Sequence, residues 1–480
     1  MENNQFNFDN SYSKLPNTLF TKINPEPVSE PKLILFNKQL AIELNINLSN
    51  SNKVDLANIF SGNVIPQNAC PISQAYAGHQ FGHFTILGDG RANTLGEHIN
   101  SKNNKRFDIQ LKGSGKTPYS RNGDGRAALG PMLREYLISE ALHHLRVPTT
   151  RGLAVVTTGE KVLRESQLIG SILTRTASSH IRVGTFQYVA LKKDIKLLKI
   201  LFKYTINRHF PSLIDSKNLV FNFLKSYMNK QIDLIVNWMR VGFIHGVMNT
   251  DNVTLSGETI DYGPCAFLDQ YSGNTVFSSI DYHARYSFNN QPIIAQWNFA
   301  RFTETLLPLI DKNIEKSISI ATELVELFAE EYKTKWLSMM KLKLGLLNNE
   351  KTDETLILEL LNIMEKYSAD YTNTFRELST KKMSFKSKDF KIWFDKWNER
   401  LKRNNKPFSN SKSVMEFNNP VIIPRNFIVE SVLDQANNHN MEPFNDFLSN
   451  LSNPYEISGK NKNYLSSPVT KQKYETFCGT

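Results

Sequence analysis

The side chains best suited to chemistry concentrate between Phe243 and Pro264, in the string FIHGVMNTDNVTLSGETIDYGP. Asn252 and Asp261 are oxygen donors of the kind that hard cations such as Mg²⁺ or Mn²⁺ take, and two short loops could hold one ion between them. Asp251, immediately before Asn252, is a carboxylate placed to accept a proton from an incoming hydroxyl. A plainer reading of NTDN is a turn in which Asp and Asn bond only their own backbone.

Spacing gives these residues a template. In kinase-like phosphotransferases a His-x-Asp loop is followed, five residues after that Asp, by a metal-binding Asn and then by an Asp-Phe-Gly-like element. Here His245-Gly246-Val247 opens the loop, Asn252 stands five residues after Val247, and Asp261-Tyr262-Gly263 is the second element. The metal ligands are present while valine occupies the usual base position, so Asp251 is the candidate substitute.

Upstream, LGDGRANTLGE and LKGSGKTPYSRNGDGRAAL surround Lys112 with glycines whose backbone amides can approach phosphate oxygens. GSGKT is not a Walker A loop, because the required first glycine is replaced by Gln110. The better fit is a strand lysine held by a helix glutamate, Lys112 with Glu135, with Glu140 as the fallback partner. The blander reading of Glu135 is a solvated helix charge. Arg175 and Arg182, in LTRTASSHIRVGTF, have the fork geometry that grips phosphates, the alternative being a buried structural ion pair. His180 between them reads as a core histidine. His79 and His83 in GHQFGH lack a third ligand for zinc and suit packing roles.

Positioning these groups requires particular elements. Arg106 to Gly113 alternates Phe107, Ile109 and Leu111 with polar residues, as a half-buried strand would, ending at Lys112. Pro131 to Leu145 has helical spacing and carries Glu135 and Glu140. Gly152 to Glu165 suggests two strands joined by a tight turn. Beyond Gln187 glycines thin out and helical spacing takes over. Ile320, Leu324, Leu327, Phe328, Tyr332, Trp336 and Met340 form an apolar core stripe. The polar runs Asn348 to Thr355 and Lys402 to Lys412 read as exposed loops, and Ser458 to Thr480 as an extended arm.

The chain has 480 residues, 40% of them hydrophobic, enough for more than one ordinary core. Its formal charge of +11 favours polyanions without naming one, and a specific nucleic-acid partner is not expected. Three cysteines, Cys70, Cys265 and Cys478, are too few for a disulfide framework. No apolar run is long enough to span a membrane, and MENNQFNFDNSYSKLP resembles neither a secretion signal nor a presequence, so the expected location is cytoplasmic.

Taken together, AYAGHQFG, LGDGRA, DIQLKGSGKTPYSRNGDGRAAL, REYLISEA, SSHIRVGTFQY, HGVMNTDN, TIDYGP and RYSFNNQP resemble the selenoprotein O family of protein adenylyltransferases, also described as pseudokinases. The likeness runs from about Phe60 to Pro308, with patches at NPVIIPRN and the terminal FCGT. It implies an α+β, protein-kinase-like bilobal fold with a mixed α/β N-terminal lobe and a mainly helical C-terminal lobe plus helical extensions. The corresponding division is an N-terminal extension (1–60), an N-lobe with the phosphate site (61–186), a helical C-lobe with the catalytic and metal loops (187–345), and a C-terminal extension and tail (346–480). It also implies ATP bound in a flipped orientation, so that AMP passes to Ser, Thr or Tyr hydroxyls of proteins with Mg²⁺ or Mn²⁺, and UMP transfer from UTP. The family's nucleotide contacts fall on Gly88, Gly90, Arg91, Lys112, Asp124, Gly125, Arg175 and Arg182, with Asp261 beside them. Its proton acceptor falls on Asp251 and its metal ligands on Asn252 and Asp261.

The redox-active cysteine of family members matches Cys478, but its usual partner position is occupied by Phe277 in TVFSSID. Cys265 is the nearby substitute, and a lone tail thiol is the simpler reading. The competing functions are a kinase transferring the γ-phosphate and a catalytically inactive nucleotide-binding pseudokinase.

Overall fold

The computed structural model describes residues 5–48, 51–80, 82–384, 387–457, 461–466 and 474–476. Its first half is an antiparallel sheet of nine strands: β1 (Phe20–Lys22), β2 (Lys32–Phe36), β3 (Ile72–Gln80), β4 (His83–Gly88), β5 (Ala92–Ile99), β6 (Arg106–Lys112), β7 (Ala127–Ala128), β8 (Arg151–Leu163) and β9 (Gln167–Ala177). The order is β1-β3-β5-β6-β9-β8-β2, with β4 paired to β3 and β7 to β9. Two short helices, α1 (Lys38–Leu44) and α2 (Lys53–Ser61), contribute to a core on one face. On the other lies α3 (Leu129–His144), which carries Pro131 in its first turn and packs against β8 and β9.

β6 shows how sequence pattern and tertiary context combine. Ile109 and Leu111 enter the core shared with α1 and α2. Asp108, Gln110 and Lys112, on the opposite face by strand alternation, are also buried, so this is not the half-buried strand its alternation suggests. Burial of three polar side chains is tolerable because each is hydrogen-bonded or ion-paired.

A second correction concerns Gly152 to Glu165. The expected turn between two strands is a bulge within the single strand β8: pairing with β9 shifts between Thr157 and Lys161, then continues to Leu163↔Gln167. Gly159, at φ +78°, supplies the left-handed conformation that the irregularity requires. The chain reverses only afterwards, before Gln167.

The helical half contains α4 (Val183–Leu191), α5 (Ile195–His209), α6 (Leu219–Val241), α7 (Gln291–Ile310) and α8 (Ile314–Lys343). Between α6 and α7 a short ribbon, β10 (Phe243–Ile244) with β11 (Ala266–Phe267), brackets the chemistry-rich string and brings its two ends together. The apolar stripe of α8 packs on α6 and α7 through buried Leu324, Phe328 and Met340. Further helices follow: α9 (Asp353–Lys366), α10 (Tyr371–Leu378), α11 (Lys388–Lys402), α12 (Phe408–Asn418), α13 (Asn426–Asn437) and α14 (Glu442–Leu451), of which α13 and α14 pack against α3.

The two polar runs are not simple exposed loops. Asp353 begins α9 and is buried against Arg400 at 2.6 Å, so the acidic run is drawn inward by a paired arginine, while α12 starts within the second run at Phe408. The architecture is α+β, with the antiparallel sheet first and helices after it. None of the helices among the described residues is long and apolar enough to cross a membrane.

Candidate active site

Between sheet and helices lies a cleft of about 1480 Å³. Among the residues lining it are Gly88, Gly90, Arg91, Lys112, Asp124, Gly125, Glu135, Arg175, Arg182, Asp251, Asn252 and Asp261.

Its floor is an ion network. Lys112 Nζ lies 2.6 Å from Glu135 Oε2 and 2.9 Å from Asp261 Oδ1. Arg175 joins the same two carboxylates, at 2.9 Å from Glu135 Oε1 and 2.7 Å from Asp261 Oδ1, and donates through Nε to Gln110. Arg182 Nη1 reaches Asp261 Oδ2 at 2.6 Å. Arg175 and Arg182 are therefore buried and ion-paired while also facing the cleft. Burial works against the charge of Asp261, but Lys112, Arg175 and Arg182 outweigh it and hold its carboxyl well below the usual range. Glu140 takes no part. It forms a bidentate pair with Arg151 and accepts from Asn37.

Local structure fixes each member. Lys112 ends β6 and Arg175 lies opposite Gln110 on β9, so adjacent strands present both cations to one place. Glu135 lies in the second turn of α3. Arg182 is held because Val183 N donates to Val253 O and Leu255 N to Ile181 O, each at 2.9 Å, pairing its segment to the stretch that follows Asp251 and Asn252. Asp261 has φ +63°, a left-handed conformation that Asp tolerates better than most residues. His245 stacks on Trp238 and donates from Nε2 to Ile260 O at 2.8 Å, tying the first loop to the second.

Asp251 sits in the 3₁₀ turn Thr250–Asn252. Its main-chain carbonyl accepts from Arg182 at 2.6 Å, while its Oδ1 is buried and without a hydrogen-bond partner among the described residues. Burial pushes its carboxyl up to about 6, against the pull of Arg182. Asn252 turns its Nδ2 inward to Val247 O at 3.0 Å, which leaves its amide oxygen for another partner. Of the roughly four acceptor positions on a carboxylate, Asp261 uses three for cations and keeps one on Oδ2. The free oxygens of Asn252 and Asp261 are donors of the kind that Mg²⁺ or Mn²⁺ takes.

The glycine-rich segments fold onto one another at the mouth. A side chain at Gly90 would lie 2.8 Å from Tyr119 O, and one at Gly125, where φ is +68°, would strike Gly115 O. Arg91 makes no side-chain hydrogen bond or ion pair among the described residues. Asp124 is exposed and paired with Arg164 at 2.8 Å.

Residues not singled out earlier complete the cleft. Asp89 is buried beside Arg182 and accepts from Gln74 N at 3.0 Å, while Tyr76 stacks against the Arg182 guanidinium at 4.7 Å. Glycine inside a strand signals close backbone approach, and Gly78 in AYAGHQFG is such a case. His180 is a core residue bonded to Asp108, and His79 packs between Phe84 and Trp297.

The tail also reaches the cleft. Thr476 N donates to Phe277 O at 2.7 Å and its side chain to Pro264 O, and the Tyr474 ring meets Phe277 edge to face. Cys478 lies outside the described residues. Cys265 is buried, donates to Tyr262 O at 3.2 Å, and has its thiol pushed up to about 12 by burial against the pull of Arg134, a poor state for exchange.

A strand lysine salt-bridged to a helix glutamate, with a His-opened loop and an Asp-Tyr-Gly element meeting below them, is the framework of a protein-kinase-like transferase. The family model for "Protein adenylyltransferase SelO" matches residues 2–452, and the chain belongs to that family. It is 53% identical to the protein nucleotidyltransferase YdiU of Pelagibacter ubique (strain HTCC1062), over 99% of both chains. The YdiU of Nitrosococcus oceani is 52% identical over 99% of this chain and 97% of the relative, and that of Bacillus cereus 52% over 99% and 98%. The protein is accordingly a nucleotidyltransferase. One solved structure, ROP2 from Toxoplasma gondii, described as having a protein-kinase fold and no enzymatic activity, aligns with 69% of this chain and 87% of its own at 10% identity. Its TM-score of 0.23 is too low to bear on the assignment.

Proposed function

We propose that the cleft transfers AMP from ATP to Ser, Thr or Tyr hydroxyls of proteins, and UMP when UTP is supplied. The observation that carries this reading is the buried Oδ1 of Asp251, without a hydrogen-bond partner among the described residues, in the cleft that Asn252 and Asp261 also line, with Val247 at the usual base position. In the reaction the acceptor oxygen bonds to the α-phosphorus, Asp251 receives the hydroxyl proton, and the bond to the β-phosphate oxygen breaks to release pyrophosphate. Lys112, Arg175, Arg182 and Arg91 neutralise phosphate charge, and the backbone around Gly88, Gly90, Asp124 and Gly125 lets the nucleotide approach closely. Asn252 and Asp261 would hold Mg²⁺ or Mn²⁺, which supplies charge neutralisation at the phosphates when bound. On this reading residues 61–186 and 187–345 are the two lobes.

Mass spectrometry of the protein and of added acceptor proteins after incubation with ATP tests the product. An AMP adduct on a hydroxyl side chain is expected, replaced by UMP with UTP and Mn²⁺. A phosphate adduct alone would contradict the assignment.

A further inference from the structure

The chemistry described so far uses none of the side chains of the motif AYAGHQFG. Its residues Ala75 to Gln80 belong to β3. From Ala75 to Gln80 this strand pairs with β4, and the resulting hairpin meets the helical half as well as the sheet.

Alternate residues meet the catalytic apparatus. The Tyr76 ring lies over Arg182. Gly78 faces Asp251 so closely that an added Cβ would fall 2.8 Å from the Asp251 Cβ and Cγ. Gln80, next on the same side of the strand, lines the cleft with its amide near enough to the Asp251 carboxylate to favour the charged form. The intervening residue is an anchor. His79 N donates to Thr250 Oγ1 at 2.8 Å, and its ring bonds Gln187 of α4 at 2.9 Å and packs against Trp297 of α7.

A carboxylate that is to take a proton in one direction must be prevented from rotating. Asp251 has no side-chain ion pair among the described residues. Its main-chain carbonyl is fixed by Arg182, but that bond does not orient the carboxylate. The Gln80 amide, two residues along the same side of β3, is a neutral donor placed near the carboxylate, and Gly78 leaves it the room to lie against the strand. We infer that Gln80 is a positioning residue that orients the Asp251 carboxylate toward the acceptor hydroxyl, with Gly78 providing the space for that orientation. The inference rests on the role proposed above for Asp251.

The test uses the full chain with Gln80→Met, which preserves length and removes the amide, and Gly78→Ala, which crowds the carboxylate. Transfer of AMP from α-labelled ATP should fall about 10- to 100-fold in kcat for Gln80→Met, with KM for ATP within twofold and an unchanged melting temperature. Gly78→Ala should also lower kcat. In an Asp251→Asn background, Gln80→Met should cost nothing further, because the group it orients is gone. Wild-type kcat in Gln80→Met would overturn the positioning role, as would a loss that persists in full in the Asp251→Asn background. So would equal changes in KM and kcat accompanied by a lower melting temperature. A wild-type chain without nucleotide transfer would instead overturn the reading of the whole site, and this role with it, so the two failures are distinguishable.

Discussion

An Asp261→Asn chain is expected to show no metal-stimulated transfer at any attainable Mg²⁺ or Mn²⁺ concentration. Asparagine tolerates the left-handed backbone that Asp261 adopts at φ +63°, whereas alanine would add strain there. The substitution therefore removes the charge with little backbone penalty. It leaves Glu135 to hold Lys112 and Arg175 at 2.6 and 2.9 Å, but deprives Arg182 of its carboxylate at 2.6 Å, with Asp89 3.9 Å away. Breaking a buried pair by removing one partner costs about 3–5 kcal/mol, so the melting temperature should fall as well.

Nucleotide binding should move in the opposite direction from turnover. With one negative charge fewer beside three cations, ATP in the absence of metal should bind as tightly as to wild type or more tightly. Calorimetric titration in the presence of a chelator checks the affinity, and a metal titration of initial rates checks the turnover. Metal-stimulated transfer with wild-type metal dependence would show that Asp261 is not a ligand.

Replacing Asp251 by asparagine should reduce turnover by about 10²- to 10⁴-fold, the range that positioned proton acceptors contribute. Nucleotide affinity should stay within a few-fold. Asparagine is nearly isosteric, and the 2.6 Å bond from Arg182 goes to the main-chain carbonyl, which the substitution preserves. The melting temperature should rise or hold, because a buried carboxylate that burial disfavours is replaced by a neutral amide. Steady-state rates and a thermal melt measure both effects. Activity within threefold of wild type would remove Asp251 from the mechanism.

Much of this site was legible because its parts are local in sequence. His245, Asp251, Asn252 and Asp261 lie within one short string, and a two-stranded ribbon brings its ends together. Lys112 and Glu135 were readable as a strand end and a helix face, and the structure brings them into contact at 2.6 Å. The contribution of β3 was not readable in the same way. His79 and Thr250 meet across 171 positions, and no local period reports such a contact. Gly78 held the available signal, a glycine where a strand would ordinarily place a side chain.

Elsewhere, tertiary context overrode local pattern. β6 looks half-buried because Asp108, Gln110 and Lys112 are polar, yet their partners allow both faces to be covered. Gly159 reads as a turn residue because its left-handed preference is shared by turns and bulges, and only the register with β9 separates the two. The departure at Phe277 was visible in sequence. Its consequence, a tail held there by Thr476 and Tyr474 through backbone and ring contacts, required the fold.

The central claim is that the α-phosphorus is the atom attacked. Incubating the wild-type protein and an acceptor protein in parallel with ATP labelled at the α- or the γ-phosphorus tests it most directly. Label should enter protein from the α position, with pyrophosphate released and none of the γ label retained, and the Asp251→Asn chain should lose that incorporation. Incorporation from the γ position alone would make the protein a kinase and contradict the account, and ATP binding without incorporation from either position would make it an inactive nucleotide-binding pseudokinase.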